Sequence, residues 1–100
     1  MSGYVLAVEV DLHVPAARSL KDKRQALRPV LDRLRARLPV SVAETDGQDS
    51  WQVATIVVAV AASSATMAEE LIDEAERTVW SRPDLEVTAT RRTWMELEDP

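Results

Sequence analysis

Tyr4-Val5-Leu6-Ala7-Val8-Glu9-Val10-Asp11-Leu12-His13-Val14 alternates with a period of two. Tyr4, Leu6, Val8, Val10, Leu12 and Val14 fall on one face, and Val5, Ala7, Glu9, Asp11 and His13 on the other. Successive side chains of a strand point to opposite faces, so this is a strand with one fully apolar side and one mixed side. Pro15 ends it. A strand of that kind needs a layer packed on its apolar face, and the residues that follow supply one.

Ser19-Leu20-Lys21-Asp22 has the form of a capping box, in which the serine hydroxyl takes a free N–H of the first helical turn. From there Leu20, Leu27, Val30, Leu31, Leu34 and Leu38 collect on one helical stripe, predicting a helix from about Leu20 to Arg37. Pro29 lies nearly opposite the stripe, where a lost backbone bond and any bend face water. After Pro39, Val40 to Thr45 reads as a short strand, Asp46-Gly47 as a turn, and Trp51 to Ala62 as a strand rich in β-branched residues. Thr66 and Glu69 form a second capping pattern, opening a helix from Met67 to about Trp80. Its inner side is Ala68, Leu71, Ile72, Ala75 and Val79, and its outer side is Glu69, Glu70, Asp73, Glu74 and Glu76. Leu85 to about Met95 is the last strand, and the acidic tail Glu96 to Pro100 is expected to fray.

The order β-α-β-β-α-β with two helices, enough for one face of a four-stranded sheet, predicts the α+β class. The expected architecture is a ferredoxin-like two-layer sandwich, with an antiparallel sheet whose second face is open. One hundred residues, 46% hydrophobic and 29% charged, fit a single globular domain over residues 1–100. The longest apolar run, Val53 to Ala62, is about half of the roughly 20 residues that a membrane helix needs. Met1-Ser2-Gly3-Tyr4 lacks the basic start of a secretory signal, so the expected setting is cytoplasmic and away from membranes.

Chemistry has little raw material. The absence of cysteine removes disulfides, thiolate nucleophiles and cysteine-based metal sites, and His13 is the sole imidazole. No serine or threonine has an evident base partner, and two glycines cannot form a phosphate-cradling loop, so no catalytic residue, cofactor or metal is expected. Glu9, Asp11 and His13 share a face, but alternate acids on an exposed strand ordinarily serve solubility. Glu44, Asp46 and Asp49 are explained by turn chemistry. Acylphosphatases, another small group of this topology, orient water with an asparagine, and this chain has none.

Charge is distributed unevenly. The whole chain carries 12 − 17 = −5, yet Arg18 to Arg37 holds eight basic and two acidic residues, a net of +6. The remainder, with four basic and fifteen acidic residues, is at −11. Lys21, Arg24, Arg28 and Arg35 project within about 60° of one another beside the apolar stripe, with Lys23, Arg33 and Arg37 on the opposite flank. Such rails suit phosphates, and Lys21, Arg24, Arg28 and Arg35 are the candidate RNA-binding residues. The competing reading is a solvated helix whose arginines cover the core edge and pair with nearby acids. The sheet is a poor RNA platform, because its open face offers Ala7, Glu9 and Asp11 where base-stacking domains of this topology carry aromatics. Trp51, Val53 and Val57 fall on that open face and are the candidate homodimer interface.

Three segments carry a resemblance: Ser19-Leu20-Lys21-Asp22-Lys23-Arg24, Ser41-Val42-Ala43-Glu44 and Asp49-Ser50-Trp51-Gln52. Together they resemble the signature segments of the YlxP-like family, small bacterial proteins of unknown function, over nearly the whole chain. The resemblance implies a ferredoxin-like fold and a cytoplasmic setting, and it assigns no catalytic residues. Family genes often neighbour those for translation initiation and ribosome maturation factors, which implies ribosomal RNA or a ribosome-associated protein as partner. The alternative expectation is a homodimeric regulatory or ligand-sensing module that binds no nucleic acid.

Overall fold

The apolar face expected of residues 4–14 is the core face: Leu6, Val8, Val10, Leu12 and Val14 are all buried. In the computed structural model, which describes residues 3–98, these residues belong to or directly follow β1 (Gly3–His13). The remaining elements are α1 (Leu20–Arg37), β2 (Ser41–Asp46), β3 (Val53–Ala62), α2 (Ala65–Trp80) and β4 (Glu86–Leu97). The sheet order is β2-β3-β1-β4 and every pairing is antiparallel, the ferredoxin-like arrangement. β1 and β3 are central, in a register that sets Leu6 against Val60, Val8 against Val58 and Val10 against Ile56. That ladder of paired aliphatic side chains is one wall of the core. Ala26, Leu27, Val30 and Leu34 of α1 and Ala68, Ile72, Ala75 and Val79 of α2 form the other. No helix of the described residues is long and apolar enough to cross a membrane.

The boundaries differ from expectation where a side chain outcompeted the simpler pattern. α2 begins two residues early, because Ser64 rather than Thr66 is its cap: the Ser64 hydroxyl accepts from Met67 N at 3.1 Å. In α1 the Ser19 hydroxyl accepts from Asp22 N as expected, but Asp22 reaches back to Arg18 N rather than to the cap residue. α1 runs unbroken through Pro29, which is exposed. β3 begins at Val53, because the preceding Gln52 ties down the segment after β1: its carbonyl accepts from Val14 N, and its amide donates to the carbonyls of Pro15 and Ala17. β4 continues to Leu97, so Glu96 and Leu97 of the expected frayed tail are laddered against Tyr4 and Gly3. Residues 99 and 100 of that tail lie outside the described residues.

The main correction concerns Lys23, expected on a solvated flank. It is 2% exposed. Positions 23, 27, 30 and 34 form an i, i+4, i+7, i+11 series, so Lys23 occupies the first place of the buried stripe. A buried ammonium must use its three donors. Lys23 Nζ donates to Glu44 Oε2 at 3.2 Å, to the Gly47 carbonyl at 2.6 Å and to the Val53 carbonyl at 3.2 Å. These acceptors lie in β2, in the connecting loop and at the start of β3, so one side chain fastens α1 to the whole hairpin. Gly47 completes the arrangement: its φ of +78° is a left-handed conformation, and an added Cβ would stand 3.0 Å from the Val53 carbonyl oxygen.

Lys23→Met is expected to lower unfolding stability by about 3 kcal/mol, because it leaves a carboxylate and two carbonyls without their shared donor. Glu44→Gln should cost about 1 kcal/mol or less, since Glu44 is partly exposed and both carbonyls keep their donor. Urea denaturation of the two variants checks the order; equal losses would show that the carboxylate, not the carbonyl pair, carries the contact.

Candidate nucleic-acid interface

Burying the 23–27–30–34 stripe turns the opposite side of α1 to solvent. Arg18, Lys21, Arg24, Arg28, Arg33, Arg35 and Arg37 are all exposed. Four of these are the expected flank, and the structure brings them together in two overlapping groups. Lys21, Arg24 and Arg28 line a shallow groove of about 500 Å³ with Gln25, Pro29 and Asp32. Arg24, Arg28 and Arg35 border a smaller hollow with Leu27, Leu31, Asp32 and Glu44, between α1 and β2. Arg35 is partly engaged there, its Nη2 donating to the Val42 carbonyl at 2.9 Å.

Ion pairing separates this surface from the rest of the chain. The four basic residues outside residues 18–37 each have a carboxylate within 4 Å: Arg77 with Glu74, Arg82 with Asp84, Arg91 with Glu9 and Asp11, and Arg92 with Asp73 and Glu76. The Arg92 guanidinium is held above its ordinary pKa, chiefly by the bond to Glu76, with Asp73 adding to it against the pull of burial. Within residues 18–37 only Lys23 has such a partner among the described residues. The other seven cations stand without one. The arginine–acid pairing expected of a merely solvated helix is therefore absent from α1 among the described residues. Asp32 is the acid nearest in sequence to Arg28, Arg33 and Arg35, and it borders both hollows without closing to ion-pair distance.

The open face of the sheet is organised around a residue that the sequence reading missed. Arg91 lies opposite Glu9 in the β1–β4 register and forks between two carboxylates. Its Nε donates to Glu9 at 2.7 Å, its Nη1 to Asp11 at 3.1 Å, and its Nη2 to both. These bonds, the one to Glu9 foremost, hold the guanidinium above its ordinary pKa. The signal was the adjacent pair Arg91-Arg92 in a strand, which must send one guanidinium to each face. Thr55 donates to Asp11 at 2.9 Å, and His13 Nδ1 lies 3.3 Å from Glu86. With Glu9 and Asp11 bound to Arg91, no group of three metal-binding side chains forms among the described residues.

Of Trp51, Val53 and Val57, the first two are exposed and Val57 is half-buried. Val53 and Val57 lie on the open face, but Thr55 stands between them and Val57 is laddered against Glu9. Val53 borders a polar hollow of about 600 Å³ with Glu9, Asp11, Asp46 and Arg91. Trp51 precedes β3, 52% exposed, beside Asp49, Ser50 and Gln52 in the loop.

Comparison with known proteins gives a family and no activity. The family model DUF503, described as a protein of unknown function, matches residues 5–92. The uncharacterised protein YlxP of Bacillus subtilis (strain 168) is 35% identical over 78 residues, covering 78% of this chain and 85% of that protein. Among solved structures, the de novo designed protein Foldit4 aligns over 98% of this chain and 99% of its own at 11% identity, with a TM-score of 0.49. The de novo designed protein LFR1 1 with ferredoxin fold aligns over 95% of this chain and 86% of its own at 16% identity, with a TM-score of 0.48. Neither structural likeness bears on function.

Asp32 is the one acid in the α1 groove, so it opposes any anion held there. Asp32→Asn is expected to tighten binding of a polyanion by about two- to fivefold at low salt, read as elution from a heparin column at higher ionic strength. Unchanged or earlier elution would place anion binding elsewhere.

Proposed function

The chain belongs to the DUF503 family of proteins of unknown function, and from that premise we propose that it is an RNA-binding accessory protein that grips phosphates with the exposed face of α1. The carrying observation is the ion-pair distribution: all four cations elsewhere are matched to carboxylates, while seven on or beside α1 have no such partner among the described residues. Those seven side chains are exposed, six of them on a helix that Lys23 anchors, so little is lost in ordering the backbone when a ligand arrives. Lys21, Arg24 and Arg28 around the groove are the main phosphate contacts. Arg35, whose Nη2 bonds the Val42 carbonyl, serves as a fixed margin.

The rest of the surface favours one docking orientation. Glu69 and Glu70 at the start of α2 have no cationic partner among the described residues, and the open sheet face carries Glu9, Asp11 and Asp46. A phosphate backbone is repelled from both and attracted to α1. Contacts of this kind position an RNA without reading its bases, so sequence preference should be weak.

With three or four phosphates engaged, log K should fall against log salt with a slope of roughly −2 to −4. Arg24→Glu/Arg28→Glu should abolish measurable binding to ribosomal RNA fragments at low salt while keeping the wild-type melting temperature. A salt titration of both proteins by filter binding or fluorescence anisotropy decides it. Equal binding by the two, or none by wild type at low salt, would end the proposal.

A further inference from the structure

The two edges of the sheet are finished differently. β2 has six residues and a bulge between Glu44 and Asp46. Two of its carbonyls are taken by side chains: Val42 accepts from Arg35 Nη2 and Glu44 from Gln48 Nε2. β4 has twelve residues and no such covering. Among the described residues, no loop, cap or side chain bonds its main chain outside the ladder with β1. It contains neither lysine nor proline, the usual guards of an exposed edge. Its two arginines are turned away from the edge, Arg91 onto Glu9 and Asp11, and Arg92 onto Asp73 and Glu76 of α2. Every residue from Thr90 to Leu97 is exposed, including Trp94 at 43%, Met95 at 57% and Leu97 at 49%.

We propose that the occupant of this edge is a second copy of the chain, paired antiparallel along β4 about a two-fold axis at Trp94. Self-complementarity selects that register. Two-fold pairing centred on Trp94 sets it against its own copy and sets Arg92 against the partner's Glu96. Arg92, Trp94 and Glu96 lie on the helix side of the sheet, as their partners Val8, Leu6 and Tyr4 in β1 require. Among the described residues Glu96 has no ion-pair partner and Arg92 Nη1 makes no hydrogen bond, so both have capacity for a cross-strand pair. Tyr4 already packs edge-on against Trp94, with ring centroids 6.5 Å apart and an interplanar angle of 85°. A second pair brought up to it extends this to four aromatic rings in a row. An axis one residue to either side sets Trp94 against Arg92 or Glu96 and loses both matches. The product is two four-stranded sheets joined into one continuous sheet. It leaves α1 uncovered, since β4 and α1 lie at opposite margins of the fold: α1 packs on β2, the far edge of the sheet. This interface therefore stands independently of the RNA reading.

Because the chain has no cysteine, a single introduced thiol reports its neighbour cleanly. Trp94→Cys in the full chain is expected to form a disulfide-linked dimer under mild oxidation, and Val53→Cys, on the open face, to remain uncrosslinked. Sedimentation equilibrium should show the wild type as a dimer at about 100 µM, and Glu96→Arg, which sets cations against each other twice, should weaken it at least about tenfold. Glu96 is exposed and has no ion-pair partner among the described residues, so this variant should melt with the wild type. A wild-type monomer at that concentration, a Trp94→Cys protein that fails to crosslink, or a dimer that Glu96→Arg leaves intact would each overturn the proposal. Crosslinking through Val53→Cys alone would move the interface to the open face.

Discussion

The contact on which the arrangement depends is the buried ammonium of Lys23 with its three oxygen acceptors. A charge inside a core is costly unless each of its donors is satisfied, and here the acceptors come from three different segments of the hairpin. The contact therefore holds only in one placement of α1 over β2 and β3, where an apolar side chain would tolerate several. It also fixes the turn: the left-handed Gly47 and the start of β3 present their carbonyls to the same nitrogen. Rotating α1 by one residue would pull Lys23 off these acceptors and bring the arginine flank toward the core.

The anion-binding surface that we infer follows from that orientation. With the 23–27–30–34 stripe held inward, the remaining cations face outward in a band around Pro29. Elsewhere each basic side chain has a carboxylate partner. Arg91 bridges Glu9 and Asp11 and leaves the open face net acidic, and Arg92 ties the last strand to α2. The result is a molecule whose net charge is −5 but whose unpaired basic side chains, among the described residues, lie on or beside one helix.

Most of the architecture was legible in the sequence, because two periodicities state it. Alternation in β1 and β3 and the helical stripes of α1 and α2 predict the order, the class and nearly the whole core. What was not legible shares one cause, the competition among side chains for backbone partners. Ser64 and Thr66 both suit a helix cap, and only their contacts decide between them. Gln52 belongs to a strand by pattern but spends its amide and carbonyl on the loop after β1. Lys23 fits the buried series by position and was excluded by its charge, since nothing local shows that carbonyls from residues 47 and 53 converge on it. Of the candidate sites, the cationic flank was readable from helical geometry alone, and three of its four residues share one groove. The expected patch of Trp51, Val53 and Val57 was not readable in the same way. That Val57 stands beside Glu9, and that Trp51 precedes β3 rather than belonging to it, is set by strand pairing rather than by local pattern.

The central claim is that uncompensated charge on α1 is the binding surface. Its most direct test is a backbone amide NMR titration of the full chain with a short single-stranded RNA at low salt. The account predicts perturbations that begin at Arg18, follow the exposed side of α1 through Lys21, Arg24, Arg28 and Arg35, and leave α2 and the open-face amides of Glu9, Asp11 and Arg91 unmoved. Perturbations centred on the sheet, or spread evenly over both helices, would contradict it.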